Sequence, residues 1–384
     1  MSKLFVANFD FEDELAGRKV SRTAWQATQG LSGCWTPLLA PGDRMMAGPL
    51  IGSNDPSEAV RVAGEMRGAT ELVPWGWSGG MARLAKEIGA AGAVPDVAVV
   101  EMINRRRWSH GQELEMGLQP EAGRLIETFE DCRAILSQGP PIGTSWIVKA
   151  DLGASGRHQL RMNAGQVQAG RASWLADCLE RDGLVLIEPW LDAVCECSLQ
   201  FEIGADGTST FLGVTELLTG ESGGYLGTRF GPSVAVRLGG DVGELVATVR
   251  PVVERASRMG YVGPLGVDAM RYRAASGETL WRPLQDINAR FTMGRCALEW
   301  LDLLPGGVCG TVLVGDWTGG ATWDRRLEGL VGRVEGLERV ERYSPMGSAE
   351  AGVKGLVLVV YTERVEAEGV ERAVREGLEG GDRG

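Results

Sequence analysis

Asp286-Ile287-Asn288-Ala289-Arg290 places a carboxylate, an amide and a guanidinium at every second position. On an extended segment all three side chains point to one face. Eighteen residues before Asp286 stands a second carboxylate, Asp268, in Gly266-Val267-Asp268. Two carboxylates and an amide oxygen are the hard donors that Mg2+ takes, leaving its other positions to water and phosphate oxygens. Arg290 adds the positive charge that phosphate oxygens need. The chemistry that fits is a metal ion held against a polyphosphate. Alone, D-x-N-x-R describes a solvated strand edge or a turn equally well.

Upstream, residues 145–151 (SWIVKAD) have the branched and aromatic content of a strand and lead into the small-residue segment 152–157 (LGASGR). A strand lysine, Lys149, followed by Gly153, Ser155 and Gly156 is a physical recipe for phosphate. The ammonium meets the oxygens and the glycines let backbone N–H groups come close. A plain β-turn would read the same, and no Gly-Lys-Ser/Thr follows to make it a P-loop. Residues 184–191 form an apolar strand closing on Glu188-Pro189-Trp190-Leu191, and 194–201 carry Glu196 on the next. That arrangement sets backbone amides near an adenine and Glu196 near ribose hydroxyls; a hairpin with solvent-facing acids is equally compatible. Residues 219–232 hold five glycines, Tyr225 and Arg229, a composition suited to a lid.

These residues need a scaffold, and 384 residues allow two or three domains. Residues 1–100 alternate strands (4–8, 70–75, 97–102) with helical patterns (56–67, 80–89), which predicts an α/β domain with a parallel sheet. Its segment 74–80 (PWGWSGG) joins strand to helix, where it either faces a substrate or forms a tight turn with packed tryptophans. After Asn104 the chain turns helical, and Thr128 caps a helix over 128–136. Arg105, Arg106 and Arg107 read as a solvated face or a helix-end charge cluster. From about 306 the order is strand (310–314), helix (323–333), strand (355–361) and helix (365–378), an α+β tail with frayed last residues. The domain expectation is therefore 1–100, 101–183, 184–305 and 306–384.

Composition removes several classes of function. The net charge of -12, from 51 acidic and 39 basic residues, supplies no basic field for nucleic acid or an anionic membrane. No apolar run approaches the ~20 residues of a membrane span. The amino terminus puts acids directly after a short apolar run, unlike a signal peptide. Seven cysteines without a C-x-x-C pair suit reduced, buried thiols, so a cytoplasmic location is expected. Two histidines exclude a histidine-rich metal centre and disfavour a Ser-His-Asp triad.

Taken in order, strand lysine and small-residue loop, hinge acid, ribose acid, metal aspartate and acid-x-Asn-x-Arg resemble the ATP-grasp superfamily, carboxylate-amine ligase type, over roughly residues 100–300. The resemblance implies α/β and α+β architecture, with an N-terminal Rossmann-like domain and a nucleotide site between two α+β subdomains. It assigns Lys149 to the nucleotide phosphates, Gly153, Ser155 and Gly156 to the phosphate loop, Glu188, Trp190 and Leu191 to the adenine hinge, and Glu196 to the ribose. Asp268, Asp286 and Asn288 become ligands of Mg2+, or Mn2+ in its place, and Arg290 faces the phosphate and acyl phosphate. Arg229 is expected to face the site as well. Three departures stand out. Asp286 is a methylene shorter than the usual glutamate, the phosphate loop is glycine-poor, and the family's second lysine is absent, with Arg157 or His158 standing in.

The implied reaction joins a carboxylate to an amine with ATP, through an acyl phosphate, in a protein for which the resemblance favours a homodimer. Arginines at 229, 271, 273, 282, 290 and 295 hint at anionic substrates such as amino acids or peptides. An ATP-dependent small-molecule kinase and a non-catalytic nucleotide-binding protein are the alternatives.

Overall fold

In the computed structural model, the strands in chain order are β1 (Ser2–Val6), β2 (Arg44–Met46), β3 (Thr70–Pro74), β4 (Arg124–Ile126), β5 (Ser145–Ala150), β6 (Gln159–Asn163), β7 (Val185–Pro189) and β8 (Asp192–Ile203). They continue with β9 (Ser209–Thr219), β10 (Tyr225–Phe230), β11 (Gly263–Arg273), β12 (Thr279–Asn288), β13 (Val308–Gly315), β14 (Leu337–Ser344) and β15 (Gly355–Thr362). The structure describes residues 1–19, 25, 28, 30–46, 61–62, 64–65, 70–118, 123–153, 156, 158–165, 169–221, 223–239, 242–315, 327–344, 355–363 and 365–379.

Three sheets result: β2-β1-β3, β4-β7-β5-β6, and an eight-stranded sheet β12-β11-β8-β9-β10-β13-β15-β14. The first is parallel, as expected. Its third expected strand, 97–102, is instead the helix Val97–Asn104. The Asp96 carboxylate accepts from Ala98 N at 2.9 Å, and Val100, Ile103 and Asn104 are buried at helical spacing. An N-cap with a 3.6-residue apolar period outweighs the β preference of the valines. The expected helix 80–89 is Gly79–Glu87; that over 56–67 lies largely outside the described residues.

The four-stranded sheet shows how alternation aims Lys149. Trp146, Val148 and Ala150 of β5, with Val185 and Ile187 of β7, pack on Cys132 and Leu136 of helix Phe129–Leu136 and on Leu175 and Cys178 of helix Ala169–Asp182. The intervening residues Ile147, Lys149 and Glu188 therefore face the opposite side, which lines a cleft. Thr128 caps the first of these helices through Asp131 N at 3.1 Å, as expected. Because β7 belongs to this sheet, the break between the two sheets falls after Pro189 rather than at 184.

In the large sheet, Cys197, Leu199 and Phe201 of β8 and Val267 and Ala269 of β11 pack with Val249, Val252 and Val253 of helix Val242–Arg258. Their neighbours Glu196, Ser198 and Asp268 face the cleft. Strands β13, β15 and β14 extend the same sheet from β10, so residues beyond 306 are not a detached tail. β14 was not expected from the sequence. The expected tail helix 323–333 is only partly described, and its described portion from 327 is largely turn, while the last helix is Ala367–Glu379. The expected fraying of the final residues lies outside the described residues. Of the expected lid, 219–232, the six residues Tyr225–Phe230 are the strand β10, and before it Gly220 N donates to Gly224 O and Gly223 N to Gly220 O, both at 2.8 Å.

That rearrangement also moves Arg229 away from the cleft. Its Nε and NH2 donate to Glu371 Oε1 and Oε2 at 2.7 and 2.8 Å, and NH1 to Glu216 Oε1 at 2.8 Å. Arg229 is buried against the C-terminal helix and does not line the cleft. Removing one partner of a buried ion pair costs about 3–5 kcal/mol. Arg229→Met should lower the urea unfolding midpoint clearly and leave turnover per folded molecule near wild type.

Candidate functional site

A cleft of about 780 Å3 lies between the four-stranded sheet and the β12-β11-β8-β9 end of the large one. Lys149, Gly156, Glu188, Trp190, Leu191, Glu196, Asp268, Asp286, Asn288 and Arg290 all line it. Gly153 is described and does not line it, and Ser155 and Arg157 lie outside the described residues.

At the metal end, β11 and β12 run antiparallel with Asp268 opposite Asp286 and Gly266 opposite Asn288. Asp268 Oδ1 accepts from Ser198 Oγ at 2.5 Å, and Oδ2 accepts from Asn288 Nδ2 at 2.9 Å. Asn288 Oδ1 in turn accepts from Arg290 NH2 at 2.9 Å. A side chain at 266 would meet Thr292 Cγ2 at 2.7 Å, so the glycine before the metal aspartate is a packing requirement. Asn104, from the helix the sequence suggested as a strand, pins the backbone between Asn288 and Arg290. Its Oδ1 accepts from Ala289 N at 3.1 Å, and its Nδ2 donates to Val100 O at 2.7 Å.

Burial pushes the Asp268 carboxyl up to about 7; Ser198 opposes the shift and the charge of Asp286 adds to it. Two carboxylates facing each other in a cleft fit a divalent cation, which relieves their repulsion. Asp268, Asp286 and, once turned from Arg290, the Asn288 oxygen are the residues that could hold one. The sign for metal-free protein is that a raised carboxyl stabilises the fold below its ordinary pKa and loses that contribution as pH rises through about 7. Cation binding displaces the same proton, so affinity runs the other way. Calorimetric Mg2+ titration should show roughly tenfold tighter binding at pH 8 than at pH 6.

At the other end, Lys149 Nζ lies 2.6 Å from Glu188 Oε2. Glu188 Oε1 accepts from Arg282, whose Nε and NH2 reach Glu113 Oε1 and Oε2 at 2.7 and 2.9 Å. Burial raises the Glu188 carboxyl, but Arg282 and Lys149 more than reverse this and hold it well below the usual range. The hinge follows directly: Trp190 N donates to Ser145 O at 2.8 Å, and the Arg161 guanidinium sits 4.6 Å above the Trp190 ring. Glu196 accepts from Thr219 Oγ1 at 2.5 Å and Gln285 Nε2 at 3.3 Å. The phosphate loop meets the β9–β10 turn: a side chain at Gly156 (φ 75°) would sit 2.8 Å from Gly223 O.

Sequence reading missed several lining residues. Ser198 is two residues from Glu196 on one strand face, a spacing that could have revealed it. Arg282, one of the six arginines that hint at anionic substrates, is a buried lining residue. Arg106, expected on a solvated face or in a helix-end charge cluster, stands at the start of helix Arg106–Glu115 and is buried: NH1 donates to Ala150 O at 2.6 Å and NH2 lies 3.7 Å from Asp286 Oδ2. Its neighbours Arg105 and Arg107 both reach the buried Asp151 at 2.6 Å. Among the described cleft cations, Lys149, Arg282 and Arg290 have close carboxylate partners, and Arg106 is held more loosely by its acid. His158, a suggested stand-in for the absent lysine, has Nε2 at 2.8 Å from Asp13 Oδ1 and does not line the cleft. Of the other arginines read as a hint of anionic substrates, Arg271 donates to Leu238 O at 2.6 Å and Arg295 pairs with Glu299.

No protein-family model and no curated protein matches the sequence. Solved structures do. The ADP complex of N5-carboxyaminoimidazole synthetase from Staphylococcus aureus is 11% identical, with 98% of this chain and 97% of that chain covered at a TM-score of 0.55. Biotin carboxylase from Campylobacter jejuni is 10% identical, with coverage of 97% and 89% at 0.57. The N5-carboxyaminoimidazole synthase from Aspergillus clavatus, in complex with ADP and 5-aminoimidazole ribonucleotide, is 13% identical, with coverage of 97% and 99% at 0.54. The chain therefore has the ATP-grasp fold over nearly its whole length. Among the described residues no helix is long and apolar enough to cross a membrane.

Proposed function

We propose that this protein is an ATP- and Mg2+-dependent ligase that joins a carboxylate to an amine through an acyl phosphate, releasing ADP and phosphate. The observation that carries the proposal is the single cleft in which Lys149, the Glu188-to-Leu191 hinge and Glu196 stand opposite Asp268, Asp286, Asn288 and Arg290. Glu188 is saturated by two cations, so in this reading the hinge offers the adenine its backbone groups and Glu196 its carboxylate to the ribose. Lys149 and Arg106 flank the base of the phosphate loop and neutralise phosphate oxygens. Asp268, Asp286 and Asn288 would hold the cation, which would supply positive charge against the phosphate oxygens.

The substrate carboxylate attacks the γ-phosphorus, forming the new C–O–P link while the bond to ADP oxygen breaks. The amine then adds to the acyl carbon and phosphate leaves. Arg290, fixed at the end of β12, stabilises the charge on the transferred group. No nucleophilic side chain is required, because orientation and electrostatics supply the catalysis. Purified protein with Mg·ATP and pooled amino acids tests the reading. Release of ADP and phosphate that depends on an amine supports it; a stable phosphorylated product would identify a kinase, and nucleotide binding without turnover in any pool would overturn it.

A further inference from the structure

The five-residue helix Phe11–Leu15, FEDEL, carries three consecutive acids, and each is spent on a different part of the molecule. Glu12 Oε1 accepts from Arg290 Nε. Asp13 Oδ1 accepts from Arg18 Nε at 2.6 Å and lies 2.8 Å from His158 Nε2. Glu14 Oε1 accepts from Gly80 N at 2.9 Å, at the start of helix Gly79–Glu87. Glu12 thus reaches from the N-terminal domain to a residue that lines the cleft, and Asp13 reaches the two ends of the segment 152–158 beside it.

The contact to Arg290 completes a side-chain chain. It runs from Glu12 through Arg290, Asn288 and Asp268 to Ser198, then through Gln200 to Thr292, with the last links at 2.8 and 2.7 Å. Arg290 has its remaining nitrogen NH1 on Phe291 O at 2.9 Å, and its guanidinium sits 5.7 Å from the Trp75 ring centroid. Among the described residues, Glu12 is the carboxylate paired with it. Glu12 is 3% exposed, yet its Oε2 is buried with no hydrogen-bond partner among the described residues. A buried oxygen without a partner calls for an explanation beyond packing, and this one belongs to the carboxylate that holds a cleft-lining guanidinium.

Asp13 acts on the phosphate loop from two sides. Arg18, which it holds, donates NH1 to Leu152 O at 3.0 Å where the loop begins. His158, at the loop's end, has φ of 57°, the only non-glycine left-handed residue among those described. That conformation is unfavourable for a residue with a side chain, and the Asp13 contact holds the ring in place.

Resting on the ligase reading, we propose that Glu12 and Asp13 are positioning residues. Glu12 fixes Arg290 for phosphoryl transfer, and Asp13 fixes the phosphate loop for nucleotide binding. Neither touches substrate, and their effects should separate. Glu12→Gln is expected to leave MgADP affinity within about twofold and to cut ADP release from Mg·ATP with pooled amino acids by roughly 30- to 100-fold. Asp13→Asn is expected to weaken MgADP binding by roughly tenfold with a smaller effect on turnover at saturating ATP. Glu12→Asp keeps the charge on a shorter arm. It should recover the wild-type melting temperature while turnover stays about tenfold down, which keeps the test decisive if Glu12→Gln folds poorly.

Turnover within threefold of wild type in the Glu12 variants, or parallel losses of affinity, turnover and melting temperature in both residues' variants, would overturn the assignment. Wild-type protein that neither binds MgADP nor releases ADP would instead overturn the ligase reading on which it rests. Those failures are distinguishable by the wild-type measurement alone.

Discussion

Asn288→Ala should abolish turnover, by at least about 10^2- to 10^3-fold, in a protein that still folds. Asn288 donates to Asp268 and accepts from Arg290, so its removal releases both at once. The expected metal donor set loses its amide oxygen, and the arginine loses the restraint on one nitrogen. The structural penalty is smaller. One carboxylate oxygen and one guanidinium nitrogen lose a partner each, at about 1–3 kcal/mol apiece, against a typical folding stability of about 5–15 kcal/mol. Circular dichroism should therefore remain native, with a lowered urea midpoint, while ADP release vanishes. Retained turnover in Asn288→Ala would remove the metal assignment altogether.

Arg282→Met should be the most destabilising single change in the cleft. Its guanidinium lies between Glu113 and Glu188, all three side chains at 4% exposure or less. Substitution leaves two buried carboxylates, one of them backed only by Lys149 at 2.6 Å and the other with His110 Nδ1 no nearer than 3.7 Å. Breaking a buried ionic cluster by deleting one member costs about 3–5 kcal/mol, and urea titration reads it directly. Replacing Glu113 by Gln in the same protein should recover a large part of that loss, because one uncompensated charge disappears. Turnover should fall too, since Glu188 freed from Arg282 binds Lys149 more tightly and withdraws it from phosphate. A variant as stable as wild type would mean that the cluster is not what joins the hinge to the helix Arg106–Glu115.

Much of the cleft was legible because its residues sit on strands at even spacing. Asp286 and Asn288, Ile147 and Lys149, and Glu196 and Ser198 each share a strand face, a property the period of two fixes before any tertiary contact forms. Helix 97–104 was misread because its valines favour strand in isolation, and the Pro95-Asp96 start signal was the local information that contradicted them. Arg229 was misread for a different reason. A glycine-rich stretch looks like a lid until a partner strand is available, and β13 supplies that partner from 80 residues downstream.

The amino-acid sequence by itself determined the chemistry on offer: oxygen donors two apart, a lysine before a small-residue loop, and acids closing a hinge. Those are properties of neighbouring residues and of backbone periodicity. Tertiary structure decided which charges are available to a ligand and which are consumed. Arg229 and Arg282 are neutralised by Glu371 and Glu113, 142 and 169 residues away, and Arg290 is clamped by Glu12, 278 residues away. Arg106, which the sequence left on a solvated face or at a helix end, stands at a helix start and lies 3.7 Å from Asp286. Ion pairing depends on distance in space and on burial, and no local pattern encodes either across such separations.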